Sequence, residues 1–262
     1  MHFLRLVLFF GLVCSGGMLG AKEPAFGPVT SEGRYPRHLQ GFCTDQREFI
    51  YWCWTDVLVK TDAKGRVLAK RDVANHHGDL CHVDGKIYVA VNLGKFNQPA
   101  GKADSWVYVY DARNLEELTR HRVPELVHGA GGIAYRDGKF IVVGGLPADF
   151  TENYLYEYDK NFRFVKRHVL ASGYTTLGIQ TIAWSQGSWW LGCYGSPAVL
   201  LRADRNFKFN GRWEFNASVG IDRLDESRFL VARNKQEKKG EGYVGQLLIA
   251  RPNEARGLEI EP

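Results

Sequence analysis

The chain has 262 residues, 45% of them hydrophobic and 13% aromatic, with 34 basic residues against 29 acidic ones and a formal charge of +5. That composition excludes a disordered chain, and the length excludes a disulfide-stapled miniprotein. The basic residues are scattered, and the densest run, Lys235 to Lys239, reads as a solvated loop, so no nucleic-acid partner is expected.

The first element is a targeting segment. His2 and Arg5 precede an apolar stretch from Leu6 to Val13, and small residues follow up to Ala21. This pattern predicts a signal peptide over residues 1–21, cleaved near Ala21, and an exported protein, periplasmic or extracellular. Cys14 suggests a lipoprotein, but Val13 stands where a small residue is wanted. The apolar run is short for a membrane span and nothing later resembles one. Residues 22–36 form an N-terminal extension that is free to pair at a sheet edge.

From residue 37 to 261 the chain repeats. Strand-like runs end in Asp62, Asp111, Asp159 and Asp204, spaced by 49, 48 and 45 residues, and Arg251 holds the fifth place. An Asp at such a position hydrogen-bonds the following backbone and starts a turn. Each run is followed by a second one, as in Val67 to Arg71, and preceded by a hairpin with a turn such as Asp84-Gly85-Lys86 or Asp137-Gly138-Lys139. Each unit is therefore four short antiparallel strands. Five units in tandem without a convincing helix predict an all-β fold, a single five-bladed β-propeller domain.

The repeat places the cysteines. Cys43, Cys81, Ala134 and Ala183 occupy one column, and Cys53, Val91, Gly144 and Cys193 another. Small apolar residues fill both, so these cysteines read as reduced packing residues, with one disulfide as the alternative.

With strands lettered A to D outward from the axis, the A-strand starts and the B–C loops share one face. Four of the eight histidines fall in the A-strand starts. His77 is the candidate catalytic base, Asp79 its orienting partner and His128 a second catalytic residue. His38, Gln40, His76, Asn92, Gln180, Tyr194 and Arg233 are candidate ligand-binding residues. Three readings stay open for the histidines. In one, His38, His77 and His128, with Asp79, Gln40 or Gln180, hold a divalent metal such as Zn or Mn. In another they form a metal-free polar pocket, and in the third they satisfy buried backbone. Trp106, Tyr174 and Tyr194 lie near the same mouth, where they can stack on a sugar, whereas His82, His121 and His168 look incidental.

The five-unit cadence, the Gln40-Gly41 pair and the run Leu58-Val59-Lys60-Thr61-Asp62 with Gly65-Arg66-Val67-Leu68 resemble the bacterial and plant glutamine cyclotransferase propellers. That resemblance implies a small exported five-bladed fold and, for activity, cyclisation of N-terminal glutamine. The family's acidic catalytic signature has no matching position here. The His/Gln mouth is similar in kind to that of propeller polysaccharide lyases, which bind a metal and have more blades. The leading expectation is a propeller that binds a small polar or glycan-derived ligand at the channel mouth, with lyase or hydrolase chemistry by the His/Asp set. The alternatives are a glutaminyl-peptide cyclotransferase and a non-catalytic propeller that binds a protein partner.

Overall fold

The computed structural model describes residues 26–236, 238 and 240–262; the expected leader lies outside the described residues. The first strand is β1 (Val29–Thr30). Blade one follows as β2 (Gly41–Thr44), β3 (Phe49–Cys53), β4 (Val57–Asp62) and β5 (Val67–Asp72), and blade two as β6 (His77–Val83), β7 (Lys86–Asn92), β8 (Ser105–Asp111) and β9 (Glu117–Arg122). Blade three is β10 (Ala130–Arg136), β11 (Lys139–Gly144), β12 (Asn153–Asp159) and β13 (Phe164–Leu170). Blade four is β14 (Thr176–Ser185), β15 (Ser188–Tyr194), β16 (Val199–Asp204) and β17 (Phe209–Glu214). Blade five is β18 (Ile221–Arg223), β19 (Phe229–Lys235), β20 (Val244–Asn253) and β21 (Gly257–Ile260). Each is an antiparallel sheet, and together they form the five-bladed propeller expected from the repeat. No helix forms among the described residues, so none is available to cross a membrane.

Local chemistry sets the turns. The A–B hairpins of blades two, three and four place both central residues at positive φ: Asp84 and Gly85 (48° and 73°), Asp137 and Gly138 (50° and 81°), Gln186 and Gly187 (53° and 73°). This is the turn whose twist matches paired strands. In the C–D turns a side-chain oxygen accepts from backbone ahead of it. Asp62 takes the amides of Lys64 and Arg66, Asp159 those of Asn161 and Arg163, and Asp204 those of Asn206 and Lys208. In blade five Asn253 does this, accepting from Ala255 and Arg256, so the fifth marker stands two residues beyond Arg251.

The inner three strands of each blade are mostly buried, and side chains from neighbouring blades interlock. Trp52 and Trp54 form one cluster with Phe42 and Leu230, while Trp189 packs with Ile141 and Leu155 of blade three. β2, β6, β10, β14 and β18 touch in cyclic order around the axis, and β18 returns to β2. The tight closure requires glycine. A Cβ on Gly78 would overlap the carbonyl oxygen of Gly131 on the next inner strand, and one on Gly41 would overlap the backbone and carboxyl of Asp79.

The segment expected as an extension is packed into blade five. β1 pairs with β20 through Val29 and Leu247, on the edge that β21 also uses, and Tyr35 stacks on Trp54 with ring centroids 3.8 Å apart. The four cysteines 43, 53, 81 and 193 are free thiols.

Candidate functional site

The A-strand face brings together three of the residues singled out in the sequence. The amide nitrogen of buried Gln40 lies 2.9 Å from His38 Nε2, 3.1 Å from His76 Nε2 and 3.1 Å from Thr55 Oγ1. Burial lowers the pKa of both imidazoles, with the Arg37 charge adding to the effect on His38 and the His38 ring adding to that on His76. Both are neutral near pH 7 and accept the Gln40 amide hydrogens. Phe96, from the long B–C loop of blade two, stacks on His76, and Tyr243 sets its edge against His38. The result is a partly exposed polar cluster flanked by two aromatic rings.

The other candidates are separate from it. His77 is fully buried between blades, with Nδ1 2.5 Å from the Ala74 carbonyl oxygen and Nε2 2.7 Å from the Tyr110 hydroxyl. Burial brings its pKa down to about 4, so the ring is neutral; Nδ1–H donates to Ala74 and Nε2 accepts from Tyr110. No lone pair remains for a metal or for a substrate proton. Asp79 makes no hydrogen bond to it, because the ladder shifts register between His77 and Leu80 at Gly78 and directs Asp79 to the axis. The pairing expected from the i, i+2 spacing is absent for that reason.

His128 directs Nδ1 at the Gln98 carbonyl oxygen at 2.8 Å and meets Phe150 edge-on. Among the described residues no three His, Cys, Asp or Glu side chains gather as metal ligands would, so His38, His77 and His128 do not converge as a Zn or Mn set. Asn92 clamps its loop, donating to the Gly94 carbonyl and accepting from the Asp104 amide. Gln180 donates to the Leu177 carbonyl at 2.6 Å, and Arg233 to that of Asn216 at 2.6 Å. The Tyr194 hydroxyl is buried without a partner, and burial pushes its pKa up to about 12.

The space on the axis opens at the other end. A cavity of about 440 Å³ lies inside the ring of A–B turns, where Thr44, Cys81, Ala134, Ala183 and Asp222 end or nearly end the five inner strands. Next to the lining residues Leu80 and Ile182, fully buried Asp79 accepts at Oδ2 from the Ile182 amide of blade four at 3.2 Å. Asp222 belongs to the wall. It accepts from the Thr44 amide at 3.0 Å, the Thr44 hydroxyl at 3.2 Å and the Arg223 amide at 2.8 Å. Burial outweighs these three bonds and raises its pKa to about 6. Burial also lifts Asp79 well above the carboxylate range and keeps the Cys43 and Cys81 thiols protonated.

At the rim, His82 stacks on Tyr51 with centroids 5.8 Å apart. The Arg136 guanidinium lies 3.4 Å from the Trp184 ring centroid and pairs with Asp137 at 3.0 Å. The sequence reading missed Asp222, Arg136 and the position of His82. One signal pointed here: the column Cys43, Cys81, Ala134 and Ala183 is small in every blade where it is defined, and small side chains on an axis leave room. A carboxyl near neutrality, an imidazole and a guanidinium around a water-accessible hollow can hydrogen-bond a polar molecule and exchange a proton with it.

No protein-family model and no curated protein matches the chain. Solved structures match in fold. A protein of unknown function from Bacteroides caccae aligns with a TM-score of 0.52 at 12% identity, over 85% of this chain and 81% of that one. U3-55K aligns at 0.50 and 10% identity, over 90% and 84%. At such identities the likeness carries the propeller alone, a fold whose surfaces serve ligand or protein binding.

Proposed function

We propose that the chain binds a small polar ligand, a glycan-derived fragment, in the axial cavity on the A–B turn face. The observation that carries this is Asp222, a carboxyl with a pKa of about 6 in the wall of a hollow of about 440 Å³. That volume lies within the range of small-molecule sites, which pair an apolar floor with a few placed polar groups. Here the apolar part is Phe42, Leu80 and Ile182, and the polar part Thr44, His82 and Asp222. A carboxyl that changes charge near neutral pH can also donate or accept a proton on a bound sugar, which is the chemistry a lyase or hydrolase requires. If residues 1–21 direct export, the ligand is met outside the cytoplasm.

The test is ligand titration by calorimetry with neutral and acidic mono- to trisaccharides, repeated on Ala134→Leu and Ala183→Leu, which fill the hollow from two blades. Saturable binding to the wild type that both variants lose, with far-UV spectra unchanged, is the expected result. Binding that survives both changes overturns the axial assignment. Stoichiometric ammonia release from a peptide with N-terminal glutamine would replace this reading with a cyclotransferase.

A further inference from the structure

A second cavity adjoins the axial one. The groove between blades three and four encloses about 450 Å³ and opens beside the A–B turns. Arg136 and Asp137 line both spaces, so the two hollows share a wall. The groove's charge is unbalanced. Buried Glu157 accepts from Lys139 and, at 2.7 Å, from His168 Nε2. Burial pushes its pKa upward, but the hydrogen bonds from Lys139 and His168 outweigh that and hold it ionised, below the usual range. Asp137 is paired with Arg136. Both carboxylates are thus committed, while Lys166 and Arg205 on the rim have no acidic partner among the described residues.

The donors are also positioned. His168 lies against the Phe207 ring with centroids 4.0 Å apart, and Arg136 is fixed on Trp184. The Lys139 side chain is 52% exposed, so its ammonium keeps hydrogens for a guest beyond its one bond to Glu157. The buried indole N–H of Trp189, in the same wall, has no acceptor. A surplus of oriented donors with no surplus acceptor suits an oxyanion.

We infer that this groove is an anion subsite continuous with the axial cavity, and that the ligand is an acidic glycan fragment bearing a carboxylate or sulfate. This rests on the axial reading above. A sugar in the axial hollow would extend its charged neighbour over Arg136 toward Lys139, Lys166 and Arg205.

Trigalacturonate, its methyl ester and a sulfated disaccharide serve as calorimetric probes. The charged trisaccharide is expected to bind at least tenfold more tightly than the ester at low salt, with the advantage shrinking as salt rises. The double variant K166Q/R205Q, altered only at exposed positions, is expected to lose about tenfold for the charged probe and little for the ester. Tighter binding of trigalacturonate than of the sulfated probe marks a uronate, and the reverse marks a sulfate ester. Equal binding of trisaccharide and ester overturns the anion subsite while leaving the axial reading intact. Binding of the charged probe that survives both Ala134→Leu and Ala183→Leu removes the axial reading and leaves the groove. A preference unaffected by K166Q/R205Q, or tighter binding of a polyglutamate peptide than of either sugar, also overturns the inference.

Discussion

Asp79 reaches across the propeller axis to Ile182: its Oδ2 accepts the Ile182 amide hydrogen at 3.2 Å, although the two residues stand 103 positions apart. One side chain thus ties blade two to blade four through the middle of the ring.

This bond makes the choice of substitution decisive. Asp79→Ala leaves the Ile182 amide without an acceptor in a buried place and should cost about 1–3 kcal/mol. Asp79→Asn keeps an acceptor and removes a carboxyl that burial already disfavours as an anion, so it should cost less at pH 7. Urea denaturation of both variants checks the order. If Asn proves the more damaging, the axial bond is not what Asp79 contributes.

Asp222 imposes a pH dependence of definite sign. Its pKa is about 6 in the folded chain and near 3.8 when unfolded, so the folded state holds its proton more tightly. The contribution is fully present below pH 4 and is lost as pH rises through 6, amounting to about 2–3 kcal/mol at most. Asp222→Asn should flatten the stability profile between pH 4 and 6.5. An unchanged slope in that window would remove Asp222 as its source.

His77 should behave as a packing residue. His77→Ala leaves a hole between blades and a Tyr110 hydroxyl without its acceptor, at a cost of about 2–4 kcal/mol. Tyr110→Phe should cost about 1 kcal/mol. Because the pKa is near 4, the ring signals of His77 in NMR should not titrate between pH 5.5 and 8. Titration of the His77 ring itself in that window, or a melt unchanged in His77→Ala, would restore it as a candidate base.

The thiols report on the hollow. Cys53 and Cys193 are buried away from it, while Cys43 and Cys81 line it, with Cys81 the more exposed. Iodoacetamide at pH 8 should modify Cys81 slowly and leave Cys53 and Cys193 untouched in the native protein, as read by peptide mapping. A ligand that occupies the axis should slow Cys81 further. Rapid labelling of Cys53 would contradict its placement at an interface between blades.

The blades were legible because their signals are local. An Asp that caps its own turn and an Asp-Gly pair at positive φ act within a few residues, so they recur in the sequence wherever they recur in the fold. The same locality explains the slip at Arg251: spacing extrapolated from four turns missed the two-residue shift to Asn253. The proximity of Gln40, His38 and His76 was also legible, since glycine and histidine near an inner-strand start mark a crowded axis. What escaped was the direction of side chains around that axis. Gly78 shifts the ladder and sends His77 and Asp79 apart, and alternation along a strand contains no sign of it. Nor does sequence show that hollows lie at the A–B turn end of the axis and beside it, which is why His82 and His168 looked incidental and Asp222 went unmarked.

The outer edge of blade five has a consequence for the order of the whole chain. Ile260 pairs with Ala250, the Glu261 amide donates to the Ile249 carbonyl at 2.9 Å, and Val29 pairs with Leu247. Residues 257–262 and 29–30 therefore follow one another along β20 in the same direction, as two pieces of one strand laid end to end. Peptide linkage of residue 262 to residue 29 would need almost no added chain. A circular permutant joined there and opened at the exposed Gly187 turn should keep all five sheets and gain a continuous outer strand.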